Sequence, residues 1–352
     1  TDGPTADTHK KPRKVTALEV SSWGDLVMLC LFIVPLVGML SILVYRVQAM
    51  GYIDATTAAV YYAVIAAIVL YQLVQAIRVN VPILKKGVPA DDRYPFKSVA
   101  ALNVTYFANF GAELAVVSML PMFFEQTWGL GAAAAGAIAA SFAFVNLFAR
   151  PMGGLVSDRF GNRRFVMMAY MFGIGLGFAL MGLLDSSWPL VVAVVFTIAC
   201  SFFVQGAEGA TFGIIPSIKR RVTGQISGMA GAYGNVGAVF YLFVFTLVTP
   251  QQFFFIIAAG AFISWLVCWF WLVEPEGGFS DEYVISSVDK AIAREAQQRK
   301  QTEADMAHLL QGSGKVELLD KGDGLQLTAR FRDVDELRQV LDRLNPRAKG
   351  AT

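Results

Sequence analysis

Charge is what this sequence has least of. Only 16% of its 352 residues are Asp, Glu, Lys or Arg, against about 25% in an ordinary soluble domain. Histidine is scarcer: His9 and His308 are the only two, and both lie outside the apolar stretches. That argues against a histidine-based metal site or a catalytic triad. The three cysteines, Cys30, Cys200 and Cys268, are far apart and form no CxxC or other metal spacing, so they read as small apolar fillers. No nucleotide-binding glycine loop or other enzymatic motif occurs, which leaves neither an enzyme nor a cofactor to expect. A net charge of +2 gives no electrostatic footprint for nucleic acid. The opening TDGPTADTHKKPRK contains neither a signal peptide nor a transit helix. It begins with Thr1, and residues 1–20 read as an interior loop of a longer protein.

What is abundant is apolar sequence: 55% of the chain. It is gathered into stretches of about 20 residues or more, the length of a helix that crosses a bilayer. Eight such stretches fall near 24–46, 57–79, 98–124, 130–155, 164–184, 188–215, 223–248 and 252–273. Backbone groups in lipid must bond within their own segment, so each is expected to be a helix. No alternation of a membrane barrel is present. The fold class is therefore all-α, a polytopic membrane helix bundle. Lys and Arg crowd one set of loops, including HKKPRK (9–14), Arg93 with Lys97, SDRFGNRR (157–164) and IKRR (218–221). The other set, at 48–55, 125–131, 183–188 and 249–252, has no Lys or Arg. Basic loops stay in the cytoplasm, so both ends of the chain are expected there, in the cell membrane. Arg46, near the outer end of the first stretch, is free to snorkel to the interface.

After EPEGG (274–278) the composition becomes polar. Residues 281–311 read as helix. Residues 315–345 read as strand, a KGDG turn, strand and helix, a small α+β tail on the cytoplasmic side. The expected organisation is a linker at 1–22, two helices at 23–80, a membrane unit at 98–274 and the tail at 281–352.

Within the membrane unit, GGLVSDRFGNRR (153–164) joins two helices through a tight basic loop. Gly153 and Gly154 permit close helix approach. Asp158 can accept bonds from Arg159, Arg163 or Arg164, with Gly161 in the turn. The pattern resembles the signature loop of the major facilitator superfamily. There it joins the second and third helices of a six-helix half. That register makes 98–273 one complete half, with two extra helices ahead of it and the other half outside this chain.

Arg150 lies in SFAFVNLFARPMGG, eight residues before Asp158, so about 12 Å from the loop. A charge at that depth costs at least about 2.5 kcal/mol and usually faces a cavity or a partner. Two accounts are open. Arg150 is a structural ion pair with Glu113 or Glu208, or snorkels; or it is a fixed cation whose planar fork of donors suits a planar oxyanion. Asn146, four residues earlier, lies on the same helix face. In ALNVTYFANFGAELAVVSMLPMFF, Tyr106, Phe110 and Glu113 form one stripe. It serves either core packing or the two faces of a planar anion. Glu113 and Glu208 are candidates for proton coupling, because carboxylates within membrane spans are functional candidates by default.

The last element is glycine-rich: Gly224, Gly228, Gly231, Gly234 and Gly237 recur at helical spacing, with Asn235 among them. They are expected to make one smooth helix face. AGAYGNVG (230–237), YFANFGAELAVVSMLP (106–121) and NLFARPMGGLVSDR (146–159) resemble the nitrate/nitrite porter family within the facilitator superfamily. The two leading helices are similar to its cyanobacterial-type members. The resemblance implies secondary transport of nitrate or nitrite by alternating access, coupled to proton symport or nitrate/nitrite exchange. It implies that Arg150 binds the anion, that Asn146, Tyr106 and Phe110 line its site, and that Gly228, Gly231, Gly234 and Asn235 belong to the helix beside it. The partners implied are nitrate or nitrite, protons, the bilayer and an N-terminal six-helix half bearing a second arginine. Facilitated passage of another small anion, or a non-transporting half-protein that acts through its tail, are the alternatives.

Overall fold

The computed structural model describes residues 17–274, scattered helical positions between 288 and 298, and residues 316–320 and 325–329. In the first of these ranges, eight helical segments are long and apolar enough to cross a membrane. They run Trp23–Ala49, Ala55–Lys86, Ala90–Trp128, Ala132–Phe160, Arg163–Gly182, Leu190–Ile218, Arg220–Phe245 and Pro250–Trp271. The expected all-α membrane bundle is therefore what the chain forms. The second segment extends past its apolar stretch because its polar end continues the helix, and the third because a short 3-10 turn, Ala90–Asp92, stands before its main helix.

Two segments are built from paired helices. The first breaks at Phe32 into α1 (Trp23–Leu31) and α2 (Ile33–Ala49). Pro35 has no N–H to offer the carbonyl four residues back, that of Leu31. The fourth breaks at Val145 into α5 (Ala132–Phe144) and α6 (Asn146–Phe160). The others are α3 (Ala55–Lys86), α4 (Phe96–Trp128), α7 (Arg163–Gly182), α8 (Leu190–Ile218), α9 (Thr223–Phe245) and α10 (Pro250–Trp271).

Their ends follow local chemistry. The Asp54 carboxylate accepts from the Thr57 N–H at 2.9 Å and caps α3. Bonds from the Thr57 hydroxyl and then its N–H hold the Asp54 carboxyl below the usual range. Asn162 caps α7 from Phe165 N–H at 2.8 Å. Thr249 and Gln252 form a reciprocal capping box on α10. Gly129 and Gly161 end α4 and α6 with φ of 65° and 67°, the left-handed stop that only glycine reaches cheaply.

Helix α4 is the hub, packed against α9, α10, α8 and α5. Phe96, Leu102, Met119, Phe123 and Phe124 on it are fully buried. The outward faces are as apolar as the interior: Leu147, Leu155, Val191 and Phe270 are each well over half exposed. A surface of that kind suits lipid and not water.

Of the leading helices, α2 docks on α9. The Tyr233 hydroxyl donates to the Phe32 carbonyl, and the two rings lie 5.5 Å apart. Arg46 does more than snorkel. It donates to Thr246 Oγ1 at 3.4 Å and sits 5.3 Å from the Phe243 ring centroid.

The approach to α1 is pinned separately. Asn80 of α3 accepts from Val20 N–H at 2.8 Å and donates to the Leu18 carbonyl at 2.9 Å. Next to it, Arg221 pairs with Glu19 at 2.6 Å and Asp92 at 2.9 Å, and Lys219 pairs with Asp92. A segment before α1, the turn before α4 and the α8–α9 turn thus share one largely buried charge cluster.

In the other compact unit, β1 (Val316–Asp320) pairs antiparallel with β2 (Leu325–Ala329), Val316 opposite Ala329. The helices read over 281–311 and after the second strand lie mostly outside the described residues. The tail as an α+β unit remains an expectation.

Candidate functional site

The site begins with two helices that have no side chains between them. A Cβ on Gly153 of α6 would overlap the Gly206 carbonyl of α8. One on Gly209 would overlap the Arg150 carbonyl. Gly154 and Gly213 meet at ordinary contact distance, 3.5 Å. The glycines of 153–154 and 206–213 therefore form two halves of one interface, and backbone touches backbone. This brings Arg150 of α6 beside Glu208 of α8.

Arg150 forms an ion pair with Glu208, and its Nη2 lies 3.6 Å from Oε2 of Glu113 on α4. The structure thus takes the ion-pair alternative, with both carboxylates at once. It does not seal the cation: the Arg150 side chain is 36% exposed, while Glu113 is 9% and Glu208 0% exposed. One guanidinium, its Nε and Nη2 buried, sits between two buried carboxylates on a side chain that is still partly exposed.

The two carboxylates are held differently. Glu113 Oε1 accepts from Asn146 Nδ2 at 3.0 Å and from Gln205 Nε2 at 2.8 Å. Glu208 accepts no hydrogen bond on either oxygen among the described residues. Asn146 does share a face with Arg150, but its amide is spent on Glu113. Gln205, fully buried, was not singled out from sequence. Its position three residues before Glu208, in an apolar span, was the available signal. Asn103 is also missed: it is fully buried and neither amide atom is bonded.

Tyr106 and Phe110 stack with centroids 5.1 Å apart and planes 9° from parallel. The Tyr106 hydroxyl interacts with Arg150, so the aromatic stripe reaches the cation. Gly234 packs on both rings; a Cβ there would stand 2.7 Å from each. Gly237 packs on the Phe107 backbone.

The expected single glycine face is corrected here. Gly224, Gly228 and Gly231 have nothing within 4 Å of a built Cβ, unlike Gly234 and Gly237. Steps of three residues fall short of a full turn by about 60° each, so the series winds round α9 from an open face to a packed one. Asn235 is exposed and donates to its own helix at Gly231. No described contact joins Gly228, Gly231 or Asn235 to Arg150.

The basic loop is tied internally. Arg163 pairs with Asp158 at 3.1 Å, and Arg164 donates to the Trp269 carbonyl. Arg159 is exposed. Glu274, not anticipated, accepts from the Arg163 and Arg164 N–H groups at 2.9 and 2.7 Å. A carboxylate there stabilises the start of α7. A cavity of about 220 Å³ between α7 and α8, lined by Phe172, Leu176, Cys200 and Phe203 among others, contains no charged side chain and is not an anion site.

Residues 102–293 match the family model of the Major Facilitator Superfamily. The chain belongs to the major facilitator superfamily. With eight apolar helices among its described residues, it is a multi-pass membrane protein. The nitrate/nitrite transporter of Picosynechococcus sp. is 42% identical over 298 residues, covering 80% of this chain and 56% of that protein. The nitrate/nitrite transporter of Nostoc punctiforme is 40% identical over 286 residues, 80% of this chain and 57% of its own length. A high-affinity nitrate transporter of Oryza sativa subsp. japonica is 40% identical over 151 residues, 41% of this chain and 29% of its own. These relatives carry the names of the porter branch that residues 106–121, 146–159 and 230–237 resemble. The chain spans little more than half the length of the first two.

Proposed function

We propose that this facilitator chain is the C-terminal part of a nitrate/nitrite transporter, and that Arg150 is its contact with the anion. The observation that carries this is a partly exposed arginine side chain held deep in a membrane span by two buried carboxylates. Forked N–H donors in a low-dielectric site match a planar oxyanion. The relatives' names supply the substrate class. Tyr106 and Phe110 would form the wall beside the anion, with Gly234 letting α9 close on them. Residues 98–274 would act as one six-helix half, rocking against an N-terminal half outside this chain, with the anion near the bilayer midplane. Both ends of the chain would face the cytoplasm across the cell membrane, with the basic loops.

The test is labelled nitrate uptake by the full-length protein in proteoliposomes, with Arg150→Ala and Arg150→Lys. Arg150→Ala is expected to lower uptake at least tenfold. Arg150→Lys keeps the charge but not the fork, and should raise KM. Unlabelled nitrite should compete and acetate or formate should not. Uptake unaffected by Arg150→Ala would sink the assignment, and equal competition by formate would move the substrate to another small anion.

A further inference from the structure

The two carboxylates beside Arg150 are not equivalent, and the difference assigns them separate roles. Building on the proposed anion site, we infer that Glu208 is the group that takes up a proton when the anion binds, and that Glu113 is a positioning residue.

Glu113 has three fixed contacts: the Asn146 amide, the Gln205 amide and the flank of the Arg150 guanidinium. Two N–H donors on one oxygen hold Glu113 in place. Glu208 is wholly buried and has the guanidinium alone. Glu208 meets the guanidinium through Nη2, so an anion that turns the guanidinium toward itself draws that donor off Glu208. When the guanidinium turns to the anion, Glu208 becomes a buried charge with nothing to compensate it. Buried charges in that position neutralise themselves.

The charges balance. Before binding, Arg150 with Glu113 and Glu208 carries a net charge of minus one. After binding, the anion adds one negative charge and a proton from solvent, placed on a Glu208 oxygen, removes one. The site keeps its charge, which is the condition for loading an anion into a dry protein interior. Among the described residues, no other ionisable group around Glu208 replaces it. From α6 it meets Arg150, from α4 Glu113 and, through the guanidinium, Tyr106. Tyr170 of α7 packs on neighbouring Gly206. Helix α5 has no ionisable side chain. Of the α9 tyrosines, Tyr233 is bonded to Phe32 and Tyr241 faces Gly260.

The test uses the full-length protein in weakly buffered detergent solution. Sodium nitrate is titrated in while a pH dye reads proton uptake and calorimetry reads binding. The wild type should take up about one proton per nitrate bound. In Glu208→Gln, nitrate binding should proceed with no proton uptake, and the nitrate Kd should lose its rise with pH. In Glu113→Gln, proton uptake should persist while Kd weakens several-fold. Nitrate binding by the wild type without proton uptake overturns the inference alone. No nitrate binding at all overturns the transport proposal and this inference with it. If Glu208→Gln does not fold, Glu113→Gln decides: loss of its proton uptake makes Glu113 the carrier and refutes the assignment.

Discussion

Replacing Gly209 by alanine adds one methyl group where the structure has no room for it. The new Cβ would fall on the Arg150 carbonyl, with the carbonyl carbon at 2.8 Å and the Cα at 3.2 Å. Its obstacle is backbone, so no side chain can swing aside, and α6 must move off α8 as a body. Overpacking of this kind costs about 1–3 kcal/mol, and a rigid obstacle puts Gly209→Ala at the upper end. At about 2–4 °C per kcal/mol for a domain of this size, the melting temperature in detergent should fall by about 6–12 °C. Gly228→Ala is the control. It has nothing within 4 Å, and alanine gains up to about 1 kcal/mol over glycine in a helix, so its melting temperature should hold or rise. Fluorescence-detected size-exclusion after heating reads both. An unshifted Gly209→Ala, or equal losses in the two variants, would refute the backbone-contact interface.

Two other substitutions test the cluster that fastens the segment before α1. Arg221→Ala should destabilise by about 3–5 kcal/mol, the range for removing one partner of a buried ion pair, because Glu19 and Asp92 both lose a guanidinium; thermal melting at low and high salt checks it. Asn80→Leu leaves the Val20 N–H and the Leu18 carbonyl without the bonds now given to them, at about 1–3 kcal/mol each. Limited proteolysis should cut near residues 17–22 much faster in that variant while α4 to α10 stay protected.

Much of this bundle was readable from sequence because the bilayer imposes length. A run such as LVVAVVFTIACSFFVQGAEGATFGIIPSI can cross a membrane only as a helix, and α8 is that helix. Arg150 stood out for the same reason, as a charge where charge is expensive. What sequence left open was its partner. Glu113 and Glu208 lie 37 and 58 positions from Arg150 along the chain, and only the interlocked glycines of α6 and α8 show how they meet. The open and packed faces of α9 were merged because spacing alone does not say which neighbour fills each gap. Gln205 escaped notice because an amide carries no charge to advertise its cost. The contacts among Glu19, Asp92, Lys219 and Arg221 were invisible because those residues sit in turns whose charge already had an explanation in membrane orientation.

Where two helices touch through bare backbone, neither can slide or roll without the other. Helices α6 and α8 are joined in this way at Gly153, Gly154, Gly206, Gly209 and Gly213, so they behave as a single stiff beam with Arg150 on one rail and Glu208 on the opposite one. Whatever larger swing the molecule makes, the distance between those two Cα atoms is carried through it nearly unchanged. The guanidinium can then change partners only by turning about its own side-chain bonds, a step as quick as a rotamer flip and independent of the slow motion of the whole.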